Sequence, residues 1–147
     1  MTESPISKPY DLEERTYQFA KRCREFVKKL PRTIGNVEDG RQLIRSSGSV
    51  AANYVEANEA ISKRDFRLRI KIARKEAKES RLWLRLCEAG ENPSSQQEPQ
   101  ALMAEAVELV KIFSSILEKT KWLDLWNLEL VCDLGFGIWT LTRKEII

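Results

Sequence analysis

Six cations recur at alternating intervals of four and three along one stretch of this 147-residue chain: Arg67, Lys71, Arg74, Lys78, Arg81 and Arg85. On an α-helix that rhythm keeps all six on one side, as an almost unbroken basic ridge. Neighbours along such a ridge stand ~5 to 6 Å apart, a spacing that suits contact with a phosphate backbone. A ridge of this kind attracts polyanions and performs no reaction. The alternative reading is a solvated face whose charge is neutralised by Glu76, Glu79 and acids of the first helix.

Other residue types offer less. Glu56 with Glu59, and Glu76 with Glu79, form two Glu-x-x-Glu pairs on consecutive segments, a spacing that can supply oxygen ligands to magnesium or manganese. In antiparallel helices, however, the pairs fall ~20 Å or more apart along the axis, so Glu56 and Glu76 read better as ion-pair partners of arginines such as Arg45. The chain contains no histidine, which removes Ser-His-Asp and Cys-His catalysis, the usual zinc sites and the Glu-x-x-His di-iron pattern of helical bundles. Cys23, Cys87 and Cys132 are widely spaced and form no CxxC motif, as expected of incidental thiols in a reducing cytoplasm. No catalytic residue, metal site or cofactor is expected. The N-terminus carries no signal-like apolar run and no stretch reaches the ~18 apolar residues of a membrane span, so a cytoplasmic protein is expected.

The net charge of +3 conceals an asymmetry that favours the ridge. Residues 62–90 hold ten Lys and Arg against four Asp and Glu, a local +6, whereas residues 1–61 sum to +1 and residues 91–147 to −4. Positive charge is concentrated on one element.

That element must be a long helix, because Phe66, Ile70, Ala73, Ala77, Ser80, Leu84 and Cys87 trace an apolar seam one residue out of phase with the ridge. Ser62 and Asp65 form a capping pair at its start, and Gly90 ends it. Before it, residues 1–9 read as a flexible tail. A first helix runs from the N-cap Asp11 to Pro31, with Leu12, Phe19, Cys23 and Phe26 on its seam. A second opens at Asn36 and Asp39 and carries Leu43, Ser47, Val50, Tyr54, Ala57 and Ile61. Its small residues from Ser46 to Asn53 allow a neighbouring backbone to approach closely. After the polar stretch ENPSSQQEP, a fourth helix starts at Glu98 or Pro99 and presents Leu102, Ala106, Leu109, Phe113 and Ile116.

Four amphipathic helices with short links predict an all-α, antiparallel up-down-up-down four-helix bundle over residues 10–121. Residues 122–147 lose the helical period, and with Gly135 and Gly137 they read as a short non-helical apolar appendage that could form a small hairpin. Within the third helix, RLWLRLC is apolar on more than one side, which marks Leu82, Trp83 and Leu86 as a candidate subunit interface.

The segments FAKRCREFVKKLP, QLIRSSGSVAANYVEA and SKRDFRLRIKIARKEAKESRLWLRL resemble the bacterial four-helix-bundle proteins encoded in intervening sequences of large-subunit ribosomal RNA genes. The likeness runs from about Tyr10 to Thr120, and its most specific part is the pattern of Arg45, Ser46, Ser49, Val50, Asn53 and Glu56. It implies the bundle fold, a ring-like homo-oligomer, often a pentamer, and a link to RNA. The chain is also similar to the accessory protein of diversity-generating retroelements, a basic pentamer that binds a reverse transcriptase and nucleic acid. The expectation is therefore a non-enzymatic oligomer that binds RNA or DNA without sequence preference through the ridge, as an accessory to a nucleic-acid enzyme such as a reverse transcriptase. A purely structural or adaptor oligomer is the alternative.

Overall fold

The computed structural model of the chain describes residues 11–130, with side chains described for residues 11–121. Four helices occupy this span: α1 (Leu12–Lys29), α2 (Ile34–Asn58), α3 (Lys63–Leu86) and α4 (Pro93–Leu130). They form the antiparallel four-helix bundle that the periodicity predicts. α2 packs most extensively against α3, then α3 against α4 and α1 against α2, and of these adjacent pairs α1 and α4 touch least.

The helix ends follow from local chemistry. The Asp11 carboxylate accepts from the N–H groups of Glu13 and Glu14 at 3.0 and 3.2 Å, and Ser62 Oγ accepts from Asp65 N–H at 3.1 Å. Pro31 holds Leu30 in an extended conformation, which stops α1. α2 starts three residues before the expected position: Thr33 is its N-cap, accepting from Asn36 N–H at 3.1 Å. Asn36 is buried and serves instead as a staple. Its amide donates to Pro31 O and Glu88 O at 2.9 and 3.0 Å, and its Oδ1 accepts from Glu88 N–H at 2.8 Å, tying the α1–α2 turn to the segment after α3.

Two other expectations need correction. Ile61 lies beyond the end of α2 and is 95% exposed, so it is no part of the core. α4 is longer at both ends than the sequence suggested. It begins at Pro93, a residue that suits the first helical position because its missing N–H has no partner there, and it continues through Pro99. At the far end it runs on to Leu130, so residues 122–130 are helical rather than part of a hairpin. Loss of amphipathic period does not break a helix, and no glycine or proline follows Pro99 until Gly135. The rest of the expected appendage, residues 131–147, and the expected tail, residues 1–9, lie outside the described residues.

The core is the four seams brought together. Leu43, Val50, Ile70, Ala73, Ala77 and Leu109 are fully enclosed, and the rings of Tyr54 on α2 and Phe113 on α4 meet with centroids 6.2 Å apart. The small residues of α2 do bring α3 close. Ser46 and Ser80 are buried with their hydroxyl oxygens 2.9 Å apart, and Ser80 also donates to Glu76 O at 2.9 Å. The sparse α1–α4 edge is closed by ions: Arg15 grips Glu105 with two bonds of 2.6 and 3.0 Å, and Arg22 meets Glu98 at 3.3 Å.

Candidate nucleic-acid interface

α3 has four distinct sides, and its neighbours assign each one. The buried seam of Ile70, Ala73, Ala77, Ser80 and Leu84 faces the core. The ridge lies ~100° round the helix, on the flank that meets α4, and Arg69, Glu76 and Trp83 lie on the opposite flank. Arg69 pairs there with Glu56 of α2 and with Asp65 at 3.6 Å.

The six ridge cations divide into two groups. Arg67 donates to Leu117 O at 3.1 Å and to Thr120 Oγ1 at 2.6 Å, and Arg74 donates to Ser114 Oγ at 3.4 Å. These two are half-buried and brace α3 against α4. Lys71, Lys78, Arg81 and Arg85 are exposed. Lys71, Lys78 and Arg85 follow one another at ~10.5 Å of axial rise, with Arg81 between the last two.

None of the six forms a salt bridge among the described residues. The acids that were candidates to neutralise them are engaged elsewhere. Glu79 and Glu76 meet Lys75 at 3.5 and 4.0 Å, and Glu56 takes Arg69 rather than Arg45, which is exposed. Burial, reinforced by Glu79, raises the Glu76 carboxyl above the ordinary range; Lys75 and Arg45 oppose that shift and do not cancel it. The α4 lysines provide a contrast, since Lys111 pairs with Glu108 at 2.8 Å and Lys121 with Glu118 at 3.4 Å. Among the described residues the exposed cations of α3 form a row with no salt-bridge partner. At its N-terminal end Lys63, Arg64, Arg67, Leu68 and Lys71 line an open depression of about 420 Å³, wide enough for an anionic group.

The candidate interface residues separate. Leu82 and Leu86 stand on the outer side of α3, 46% and 49% exposed. Trp83 is turned toward α2, half-buried against the core, and its indole N–H is enclosed with no acceptor among the described residues. A charge at Trp83 would therefore disturb core packing as well as any contact between subunits. The motif residues of α2 have packing roles: Val50 is fully buried, Ser46 bonds Ser80, and Asn53 donates to Ser49 O and Oγ at 2.9 and 3.1 Å.

No group of three His, Cys, Asp or Glu gathers among the described residues. Cys23 and Cys87 are buried free thiols, and burial pushes them up to about 12 and about 11, so they are poor nucleophiles; Cys132 lies outside the described residues. The sign of the resulting pH dependence is fixed. Unfolded thiols ionise near ~8.5 while the native ones keep their protons, so stability is full below that pH and is lost as pH rises through ~9 to 12. The urea midpoint should be level from pH 6 to 8 and fall above about pH 9, with a shallower fall in Cys23→Ala than in wild type.

The described residues form an all-α four-helix bundle in which one face of α3 carries cations with no salt-bridge partner among those residues. The chain matches the family described as 23S rRNA-intervening sequence protein over residues 9–115, and it belongs to that family. Among solved structures it is similar to a crystal structure, at 1.70 Å resolution, of a protein of unknown function from the S23 ribosomal protein family of Bacteroides thetaiotaomicron VPI-5482. The two share 27% sequence identity with a TM-score of 0.63, over 73% of this chain and 98% of the other. No curated protein matches the chain. The likeness to retroelement accessory proteins is carried by neither finding. No helix among the described residues is long and apolar enough to cross a membrane.

Proposed function

We propose that this chain is a non-enzymatic, self-associating bundle that binds nucleic acid through the exposed cations of α3. The observation that carries the reading is the row of Lys71, Lys78, Arg81 and Arg85, which is exposed and lacks an acidic partner among the described residues. Neutralising phosphates along such a row releases counterions, so affinity is electrostatic and salt-dependent. Base readout has no evident vehicle: the ridge carries no aromatic platform, and its two half-buried arginines are committed to α4. Binding is therefore indifferent to sequence and responds to the density of phosphates.

The adaptor reading is favoured by a separate observation, the exposed leucines of α3, and it is compatible with the first. Self-association repeats the ridge and enlarges its field. Purification at low salt tests the binding reading directly. The protein should elute with a raised ratio of absorbance at 260 nm to 280 nm that falls on a high-salt wash. A preparation clean of nucleic acid from the first low-salt step contradicts the reading and leaves the adaptor.

A further inference from the structure

The basic ridge starts in the open depression of about 420 Å³ lined by Lys63, Arg64, Arg67, Leu68 and Lys71, and no acid lines it. Asp65, the one carboxylate between residues 62 and 71, lies on the other flank of α3, 3.6 Å from Arg69. Arg64, Arg67 and Lys71 have no salt-bridge partner among the described residues. Positions 63 to 71 span ~12 Å of helix axis, so four cations crowd into that length. Farther along, the exposed Lys71 and Lys78 alone are ~10.5 Å apart.

Arg67 is the pre-set member of this group. Both of its bonds to α4, to Leu117 O at 3.1 Å and to Thr120 Oγ1 at 2.6 Å, are made by Nη1. Its Nε and Nη2 form no hydrogen bond among the described residues. A guanidinium anchored by one nitrogen has already lost its rotamer freedom, and Nε with Nη2 is an edge that takes two oxygens of one phosphate. Binding an anion at this edge therefore has a small ordering cost.

We propose that the depression seats the terminal phosphomonoester of a nucleic-acid strand whose following phosphodiesters lie along the exposed ridge. A phosphodiester carries a single negative charge, whereas a phosphomonoester carries about −1.5 to −2 at pH 7 and has three accepting oxygens. The crowded cations of the depression favour the more highly charged group, and the single row beyond them suits the singly charged links. Leu68, 54% exposed, gives the depression one apolar wall against which the terminal nucleoside can lie. Lys71 belongs to both the depression and the row. That continuity is what identifies the occupant as the end of a strand rather than a free anion.

This inference rests on the reading of α3 as a nucleic-acid-binding face, and its test separates the two. Fluorescence anisotropy at about 50 mM salt compares three internally labelled single-stranded RNAs of one sequence, each of about 12 nucleotides, with a phosphate at the 5′ end, at the 3′ end or at neither. One phosphorylated strand should bind about tenfold more tightly than the strand with two hydroxyl ends. Arg64→Glu should reduce that ratio to about twofold or less. The position is exposed and an acid suits the first turn of a helix, so circular dichroism should be unchanged. Lys78→Gln, on the row beyond the depression, should weaken all three strands and leave the ratio in place. A ratio that persists in Arg64→Glu overturns the location of the site. Equal affinity for all three strands overturns the end site while leaving the ridge standing. A nucleoside monophosphate that competes as well as the phosphorylated strand overturns the strand-end reading in favour of a free anion. Absence of binding by any strand overturns the end site and the ridge together.

Discussion

Replacing Lys71, Lys78 and Arg81 together with glutamate should weaken binding to single-stranded RNA about 100-fold or more at low salt. The three side chains are exposed and stand off the buried seam, so the variant should keep its helicity and its mass. The size of the effect follows from charge: three contacts that released counterions become three repulsions on the same helix face. Arg67 and Arg74 are left in place because they brace α3 on α4, and reversing them would confuse binding with stability. Reversing Lys111, Lys119 and Lys121 on α4 is the matched control. It changes the same total charge, yet two of those lysines already face their own glutamates, and the expected loss is within about threefold. An electrophoretic shift assay comparing the two triple variants separates local from global charge.

The second large effect is on stability. Ser80→Leu should lower the unfolding free energy by about 3 kcal/mol, a large fraction of the ~5 to 15 kcal/mol that holds a domain of this size. Ser80 is fully buried between α3 and α2, and its hydroxyl touches that of Ser46 at 2.9 Å. A leucine must push the two helices apart and deprive Ser46 of one partner. Ser80→Ala removes the hydrogen bond without overpacking and should cost nearer 1 kcal/mol. Urea titrations of the two variants check both values, and equal midpoints would show that the close approach of the helices is not what makes this position sensitive.

These two predictions draw on features that were legible to different degrees. The bundle was readable because four seams repeat with helical period and because Asp11 and Ser62 are caps with no competitor nearby. The start of α2 was misplaced because Thr33 and Asn36, three residues apart, are both good caps. The deciding fact was that Asn36 is needed by the segment after α3, a contact no local pattern reveals. Pro99 invited a late start for α4, although one missing N–H near a helix start removes only a single backbone bond. At the other end, residues 122–130 stay helical through propensity after amphipathic period is lost.

The ridge itself was visible in the sequence, since a 3.6-residue period groups charges as surely as it groups leucines. What spacing could not supply was the partner of each charge. Glu76 and Glu79 sit among the ridge cations in sequence, yet both turn to Lys75, because the helix directs them to another side. Arg67 and Arg74 look identical to Arg81 and Arg85 in the pattern. They are distinguished only by Leu117, Ser114 and Thr120 of a helix some 40 to 50 residues away. Trp83 was grouped with Leu82 and Leu86 by composition, and helical geometry separates it from them.

The central claim, that the exposed cations of α3 form a polyanion-binding face, is tested most directly by the salt dependence of wild-type binding. Fluorescence anisotropy of a labelled single-stranded RNA of about 20 nucleotides should give a logarithm of the association constant that falls linearly with the logarithm of salt concentration. With four exposed cations engaged per chain, the slope should be close to −3. A slope indistinguishable from zero, or no binding at about 50 mM salt, would contradict the claim and leave the ridge a solvated face.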